Sequence, residues 1–313
     1  MSKKTLIVGG AGYIGGKVTD LMDAMGRRVV VSDNLLYEDR YTKQIDFRYE
    51  DAESLNYQEI NKRFCCIVWL AGIVGDAACR VNTDRTKIVN VDAVKRLVDS
   101  FSGHIIFTST CSVYGENDQM CVEETRVNPL SLYAETKYEA EQYILRNRKD
   151  VASVFRLGTV FGAGDSHARP RFDLILNNMV REAVIRKRVT IGNQTQWRPI
   201  IHVSDVARMI YRAVQTPFFG LYNLVGNNVT VSQLANLVAS LLDAEVVIED
   251  GQFEDARSYQ ADSQKLKNAI KYMPHKSIQE GIQEIAVEIR AGRIPNPYSI
   301  SYDNAAFLRT IWK

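Results

Sequence analysis

Residues 9–15 read Gly9-Gly10-Ala11-Gly12-Tyr13-Ile14-Gly15, directly after the apolar run Thr5-Leu6-Ile7-Val8. A second apolar run, Arg28-Val29-Val30-Val31-Ser32, ends on Asp33, eighteen residues past Gly15. A strand, a glycine turn, a helix start, a second strand and a carboxylate therefore fit inside the first 33 residues. Two strands joined through a helix this short lie parallel, so the chain opens on a βαβ unit.

That unit has one dominant physical use, holding a dinucleotide by its pyrophosphate and its adenosine ribose. A diphosphate must approach the main chain closely, and a Cβ would block it, so Gly9 and Gly12 fall where side chains are excluded. The helix starting near Gly12 aims free N–H groups of Gly12, Tyr13 and Ile14 at the anion, and its dipole favours negative charge there. Gly15 lets the helix pack close to the sheet. Asp33 can accept hydrogen bonds from a ribose 2′-hydroxyl and would repel a 2′-phosphate, which favours NAD over NADP. Arg27 and Arg28 precede the second strand, at the wrong end to receive that phosphate.

The chain has 313 residues, room for one large α/β domain or two unequal ones. Apolar residues make up 46% and charged residues 24%, which is the balance of a globular enzyme. A net charge of +2 gives no electrostatic reason to expect nucleic acid or an anionic membrane as a partner. No apolar run is long enough to span a bilayer, and Ser2-Lys3-Lys4 leads into a strand rather than a signal peptide. The five cysteines, at 65, 66, 79, 111 and 121, are an odd set without metal-ligand spacing. Cys65 and Cys66, adjacent in an expected buried strand, read as small core residues of a reducing compartment, so no metal is expected and a cytoplasmic location is.

Strands and helices alternate along the first half. Strands are expected at 5–9, 28–33, 45–49, 66–71, 104–109 and 152–157, and helices at 13–25, 55–63, 84–101, 130–148 and 171–187. This pattern predicts an α/β fold with a doubly wound parallel (Rossmann) sheet. Pro129 is placed at the start of the fourth helix. After about residue 160 the elements shorten: strands near 189–191, 198–202, 220–224 and 245–249, helices near 204–215, 231–242 and 277–291. The expected division is residues 1–160 for cofactor binding and 161–313 for a smaller C-terminal substrate-binding lobe, with the chain interleaved between them. A ligand cleft is expected where the strands' carboxyl ends meet that lobe. The stretch from Gly292 onward shows no clear period.

The chemistry-bearing residues gather in two places. Tyr133-Ala134-Glu135-Thr136-Lys137 lies in a helical segment, with Tyr133 and Lys137 one turn apart on one face. An ammonium beside a phenol favours the phenolate, so Tyr133 can serve as a general base. The competing reading is an amphipathic helix with a tyrosine on its buried edge. The strand Ile105-Ile106-Phe107 runs into Thr108-Ser109-Thr110-Cys111-Ser112, which sets hydroxyls at a carboxyl end, where ligands of such sheets bind.

With these pieces assembled, the chain resembles the extended short-chain dehydrogenase/reductases, the NAD-dependent epimerases and dehydratases of nucleotide sugars. The matching pieces are residues 9–15, Asp33-Asn34-Leu35, Asp51-Ala52, Leu70-Ala71-Gly72, Asn90-Val91, Thr110 to Gly115, Tyr133 to Lys137, Arg156 to Gly162 and Arg198 to Asp205. The resemblance implies that Tyr133 moves the proton of a sugar hydroxyl and that Lys137 binds the nicotinamide ribose and tunes Tyr133. Thr110 would hydrogen-bond the same sugar oxygen. Gly9, Gly12, Tyr13, Ile14, Gly15, Asp33, Asn34, Asp51, Ala52, Leu70, Ala71, Gly72 and Asn90 would surround the cofactor, Asp51 facing the adenine and Asn90 serving a structural role near the reacting centre. Arg198 and Arg257 would pair with the nucleotide diphosphate, and Thr159, where the family has asparagine, would face the sugar. His202 reads as a structural hydrogen-bonder. The family also implies a homodimer through the helices at 84–101 and 130–148.

Within the family, dehydratases carry Asp-Glu directly after the catalytic threonine, where this chain has Cys111-Ser112, a poor acid/base pair at neutral pH. Small, non-acidic residues there are similar to those of UDP-galactose 4-epimerases. GDP-fucose synthases pair a cysteine and a histidine for epimerisation. Cys111 is one position off that cysteine and His167 falls near that histidine, and the plainer reading of His167 is a surface-loop residue. The expected activity is oxidation or epimerisation at C4 of a nucleotide diphospho-sugar through a 4-keto species, in surface-polysaccharide or special-sugar biosynthesis. The alternatives are a 4-oxidase or 4-keto reductase, then a 4,6-dehydratase or a non-catalytic NAD-binding protein.

Overall fold

The computed structural model describes residues 4–192, 194–249, 257–271 and 273–312. The first half of the chain runs β1 (Lys4–Val8), α1 (Tyr13–Ala24), β2 (Val29–Asp33), β3 (Phe47–Tyr49), α2 (Tyr57–Arg63), β4 (Phe64–Trp69), α3 (Asp76–Val81), α4 (Thr83–Lys87), α5 (Ala93–Ser100), β5 (His104–Thr110), β6 (Glu116–Cys121), α6 (Leu132–Arg148), β7 (Ala152–Leu157) and β8 (Thr159–Phe161). The second half adds α7 (Ile175–Arg186), β9 (Arg188–Ile191), β10 (Trp197–His202), α8 (Val203–Gln215), β11 (Gly220–Leu224), β12 (Asn227–Thr230), α9 (Val231–Leu242), β13 (Glu245–Ile248), β14 (Ser258–Ala261), α10 (Gln264–Ile270), α11 (Ile278–Arg290) and α12 (Asn304–Ile311).

Seven strands form one sheet in the order β11-β7-β5-β4-β1-β2-β3. Every neighbouring pair is parallel. The strands are near-continuous apolar runs because both faces are covered. Alternation assigns the faces: Ile7, Val68 and Ile106 enter one core with α1 and α8, while Leu6, Ile67 and Ile105 enter the other with α5 and α6. The strand order reverses between β1 and β4, so the loops leaving their carboxyl ends part and open a crevice. A third core, including Val180, Ile191, Ile200, Leu234 and Ile282, holds α7, α9 and α11 around the smaller sheets. β11 falls within the segment expected to form the smaller lobe, yet it follows α8 back to the edge of the large sheet beside β7.

Several boundaries differ from expectation for local reasons. The expected helix 84–101 is α4 and α5 joined by a π-helical turn at Ile88–Asp92, which carries Asn90 inward. α6 begins at Leu132, because the Ser131 hydroxyl accepts from the Ala134 N–H at 3.3 Å and caps it. Pro129 therefore precedes the cap instead of occupying the first turn. α7 starts at Ile175, since Arg171 and Asp173 are committed to a side-chain pair ahead of it. The strand expected at 45–49 shortens to β3. The stretch after Gly292 contains α12, capped by Asp303, whose carboxylate accepts from Ala306 N–H at 2.8 Å. Among the described residues no helix is long and apolar enough to cross a membrane.

Candidate active site

A cavity of about 880 Å³ follows the crevice between β1 and β4 and continues under the smaller lobe. Gly9, Gly12, Tyr13, Ile14, Gly15, Asp33, Asn34, Ala52, Leu70, Ala71 and Gly72 line one part of it. Thr110, Tyr133, Lys137, Thr159, Arg198 and Arg257 line the rest. Of the residues expected at the site, Asp51 and Asn90 stand outside this wall.

The turn after β1 explains its glycines. Gly9 has φ +80°, and a Cβ there would sit 2.5 Å from the Ala71 nitrogen, so only glycine lets the two loops meet. A Cβ on Gly12 would meet nothing nearer than the Gly9 carbonyl at 3.7 Å, so its outer side is open space. α1 carries no side-chain cap at Gly12, leaving its first-turn N–H groups directed at the cavity. An uncapped helix terminus at an open crevice suits a diphosphate. Asp33, at the end of β2, accepts from Ala11 N–H at 3.0 Å and Leu35 N–H at 2.8 Å, one on each oxygen. Each oxygen retains acceptor capacity for ribose hydroxyls. Burial raises the Asp33 pKa, partly offset by those N–H donors. These features fit the adenosine and pyrophosphate of NAD.

Other expected cofactor contacts are engaged within the protein. Tyr13 donates its hydroxyl to the Gly162 carbonyl at 2.7 Å, so only its backbone faces the crevice as an anion donor. The Asn34 amide donates to Asp51 at 2.7 Å and accepts from Leu36 N–H at 3.1 Å, fixing the loop after β2. Asn90, 2% exposed, donates to the Ile73 carbonyl at 2.9 Å and accepts from Ile73 N–H at 2.8 Å. Its role is to hold the loop after β4 onto the π-helical turn, where both sides of its amide are occupied.

The residues expected at the reacting centre stand on β5 and α6. Thr110 ends β5 and its hydroxyl accepts from Ser112 N–H at 3.1 Å. Tyr133 stands in the first turn of α6 and shares a hydrogen bond with the Thr110 side chain. Lys137 lies one turn on, with its ammonium 4.1 Å from the centre of the Phe107 ring. α6 is tied down from beneath: Glu141 accepts from Ser109 at 2.7 Å and from Arg156 at 2.6 and 3.0 Å. Arg156 also reaches the Tyr114 hydroxyl at 2.9 Å.

The electrostatics refine the expectation about the Tyr133 phenol. Burial pushes it well above its ordinary range, with Cys79 and Asp76 adding to the rise. The Thr110 hydrogen bond and the Arg171 charge pull the other way. Burial lowers Lys137 to about 7, against smaller opposing effects of Cys79 and Glu141.

The residues around the expected diphosphate site are also assigned partners. Arg198, 6% exposed, donates to the carbonyls of Trp197 and Arg257 and to Gln196. Arg257 pairs with Asp76 at 2.9 Å and donates to Ser112 at 3.1 Å. Cys111 is fully buried in a separate apolar cluster, its thiol donating to the Arg156 carbonyl at 3.2 Å and pushed up by burial. It does not line the cavity. His167 is an exposed loop residue whose Nδ1 lies 2.7 Å from the Thr42 hydroxyl. His202 caps α8 through Nδ1, accepting from Ser204 N–H at 3.1 Å, while Nε2 sits 3.0 Å from Glu284.

Sequence reasoning missed Asp76, Tyr37, Asn304 and Trp312, all on the cavity wall. The last two lie in the stretch left without assignment. The available signal was Asp303 as a cap followed by Ala305 and Leu308 at helical spacing.

The comparisons with known proteins agree with this geometry. The NAD dependent epimerase/dehydratase family matches residues 5–224. The chain is 23% identical to UDP-glucuronic acid decarboxylase 4 of Arabidopsis thaliana, covering 92% of this chain and 68% of that protein. It is 25% identical to UDP-glucuronate 4-epimerase of Thermodesulfobacterium geofontis (strain OPF15), covering 89% and 93%. The solved structure of MoeE5 in complex with UDP-glucuronic acid and NAD superposes with a TM-score of 0.79 at 26% identity, covering 92% of this chain and 99% of that one. With a parallel sheet that reverses its order at the crevice, and with the family match spanning most of the chain, this protein belongs to the NAD-dependent epimerase/dehydratase family of enzymes.

Proposed function

We propose that this chain oxidises the C4 hydroxyl of a nucleotide diphospho-sugar to a 4-keto sugar and re-reduces it on the other face, as a 4-epimerase. The observation that carries the reading is the continuity of one cavity. It joins the uncapped α1 terminus and Asp33 to Thr110, Tyr133 and Lys137, and then to Arg198 and Arg257. NAD, when bound, supplies the hydride acceptor and donor.

The protein's own residues do the rest. Tyr133 takes the C4 hydroxyl proton as the carbon is oxidised, and returns a proton to that oxygen on reduction. The Thr110 hydroxyl, bonded to the phenol, holds the sugar oxygen in line. Lys137, one turn along α6, supplies the positive charge that favours the phenolate when protonated, and would hold the nicotinamide ribose. Arg198 and Arg257 clamp the diphosphate, where a guanidinium makes paired contacts. For Arg257 this means exchanging Asp76 for phosphate. Thr159 faces the sugar from β8. The buried, carbonyl-bonded Cys111 is no acid or base for a sugar, which disfavours 4,6-dehydration. A 4-oxidase or 4-keto reductase would use the same residues and leave the cofactor's redox state changed after turnover. A homodimer through α5 and α6 belongs to the same proposal and is read by sedimentation velocity.

UDP-glucose, UDP-glucuronic acid and UDP-N-acetylglucosamine form the first panel, because similar proteins are named for uridine nucleotides. Product NMR together with nicotinamide absorbance is expected to show a C4 epimer without net cofactor reduction. Tyr133→Phe should lower kcat by roughly 10²–10⁴-fold while NAD still binds. Undiminished turnover by Tyr133→Phe would sink the proposal.

A further inference from the structure

The chain beyond Ser299 wraps back onto the reacting centre. Asn304, 1% exposed, is its fixed point: its amide donates to the Val74 carbonyl at 2.8 Å and accepts from Arg169, and its backbone N–H donates to Asp173 at 3.3 Å. Arg169 also donates to the Ser301 carbonyl, and Phe172 N–H donates to the Tyr302 carbonyl at 3.0 Å. The segment is thereby fastened both to the loop after β4 and to the loop before α7.

From that anchor α12 lies against α3. Ala305 and Leu308 join Ile73, Cys79 and Val89 in a small apolar cluster, with Tyr133, Phe307 and Trp312 packed against it. Asn304, Ala305 and Trp312 also line the cavity that holds Tyr133 and Lys137. The half-buried indole of Trp312 thus has one side on the cluster and another on the cavity. Tyr133 from α6 and Leu36 and Tyr37 from the loop after β2 pack against this same cluster, and the segment lies beyond the residues 5–224 that match the family.

We infer that the C-terminal segment is a wall of the sugar subsite and that Trp312 is a specificity-determining residue, limiting the size of the sugar the site accepts. The inference rests on the proposed nucleotide-sugar reading. A large rigid indole excludes bulk at low entropic cost, and its anchoring through Asn304 keeps it from swinging aside. A pocket whose wall is cut back admits a substituent it formerly rejected, with a change in selectivity of about 10–200-fold for contacts of this size.

The test measures dissociation constants of UDP, UDP-glucose and UDP-N-acetylglucosamine by calorimetry on the NAD-saturated enzyme. In Trp312→Ala, UDP is expected to bind within about twofold of wild type, while affinity for UDP-N-acetylglucosamine relative to UDP-glucose rises on the order of tenfold. Trp312→Phe is expected to stay near the wild-type ratio. Should Trp312→Ala lose UDP binding, Trp312→Leu, which keeps the apolar anchor at smaller volume, decides by the same ratio. A ratio unchanged in the UDP-binding variant overturns this inference and leaves the proposed function standing. A wild-type enzyme that binds neither UDP nor either sugar nucleotide overturns both.

Discussion

Lys137 is a buried ammonium with one aromatic face and no carboxylate close enough to restore its ordinary value. Burial lowers its pKa from 10.5 to about 7. The unfolded chain keeps that proton up to the ordinary lysine range, while the folded protein releases it near neutrality. Between those two values the unfolded state binds more protons, so stability rises with pH there, and the cost of the buried charge is fully present below about pH 7. Without added cofactor, unfolding free energy is therefore expected to climb from pH 7 to 9. Lys137→Met should flatten that climb and gain about 1–3 kcal/mol at pH 6 while losing turnover. Denaturant titrations at both pH values check this, and a variant less stable than wild type at pH 6 contradicts it. That Tyr133 and Lys137 share a face was legible from helical spacing, while their pairing as a site needed the hydroxyls at the end of β5 and the family resemblance beside it. Their ionisation was not legible. Desolvation dominates both groups, and the charges that raise Tyr133 further, Cys79 and Asp76, arrive from α3, while the ring beside Lys137, Phe107, arrives from β5.

The element that matters most is α6, and its placement relies on one buried pair. Glu141 is fully buried and Arg156 is 2% exposed, with Ser109 and Tyr114 completing their hydrogen bonds. Removing one partner strands a charge in the interior. Glu141→Ala is expected to cost about 3–5 kcal/mol in urea unfolding. The double change Glu141→Leu with Arg156→Met should recover most of that loss. A Glu141→Ala protein within about 1 kcal/mol of wild type, on the scale set by buried pairs, would show the network to be dispensable. Elements with a strong apolar period were readable beforehand: β1, β2, β4, β5 and β7 run as buried strands close to their expected limits. The short α3 and the strands β6, β8, β12 and β14 were not, because three to six residues offer too little period to distinguish them from loop. The π-helical turn at Ile88–Asp92 was hidden for another reason. Its sequence continues a helical pattern, and its departure from α geometry places Asn90 against Ile73, a partner seventeen residues away.

At the scale of the molecule, the cavity joins residues from nearly every part of the chain, so ligand binding should report on global stability. NAD at a hundred times its dissociation constant is expected to stabilise the fold by about 2.7 kcal/mol. NADP at the same concentration should give much less if Asp33, on the cavity wall at the end of β2, takes the ribose role expected of it. Thermal melts with each nucleotide measure this, and equal shifts would remove Asp33 from its assigned role. Asp33→Ala should bring the two responses together. The broad plan, a doubly wound sheet with its cleft at the strands' carboxyl ends, followed from the alternation of apolar runs and helical stretches along the first half of the chain. The C-terminal wall did not, because its position is set by Asn304 reaching Val74, a separation of 230 residues that no local pattern encodes.

β11 carries a consequence for how such a chain can be made. It seals the β7 edge of the large sheet, yet it is supplied only after residue 220. A nascent chain halted before that point would present a bare row of amides and carbonyls along β7, a template for wrong pairing. Cutting the gene at residue 160 to obtain the cofactor half alone is thus a recipe for aggregation, and a fragment carried through Leu224 is the shorter piece in which β7 has its partner.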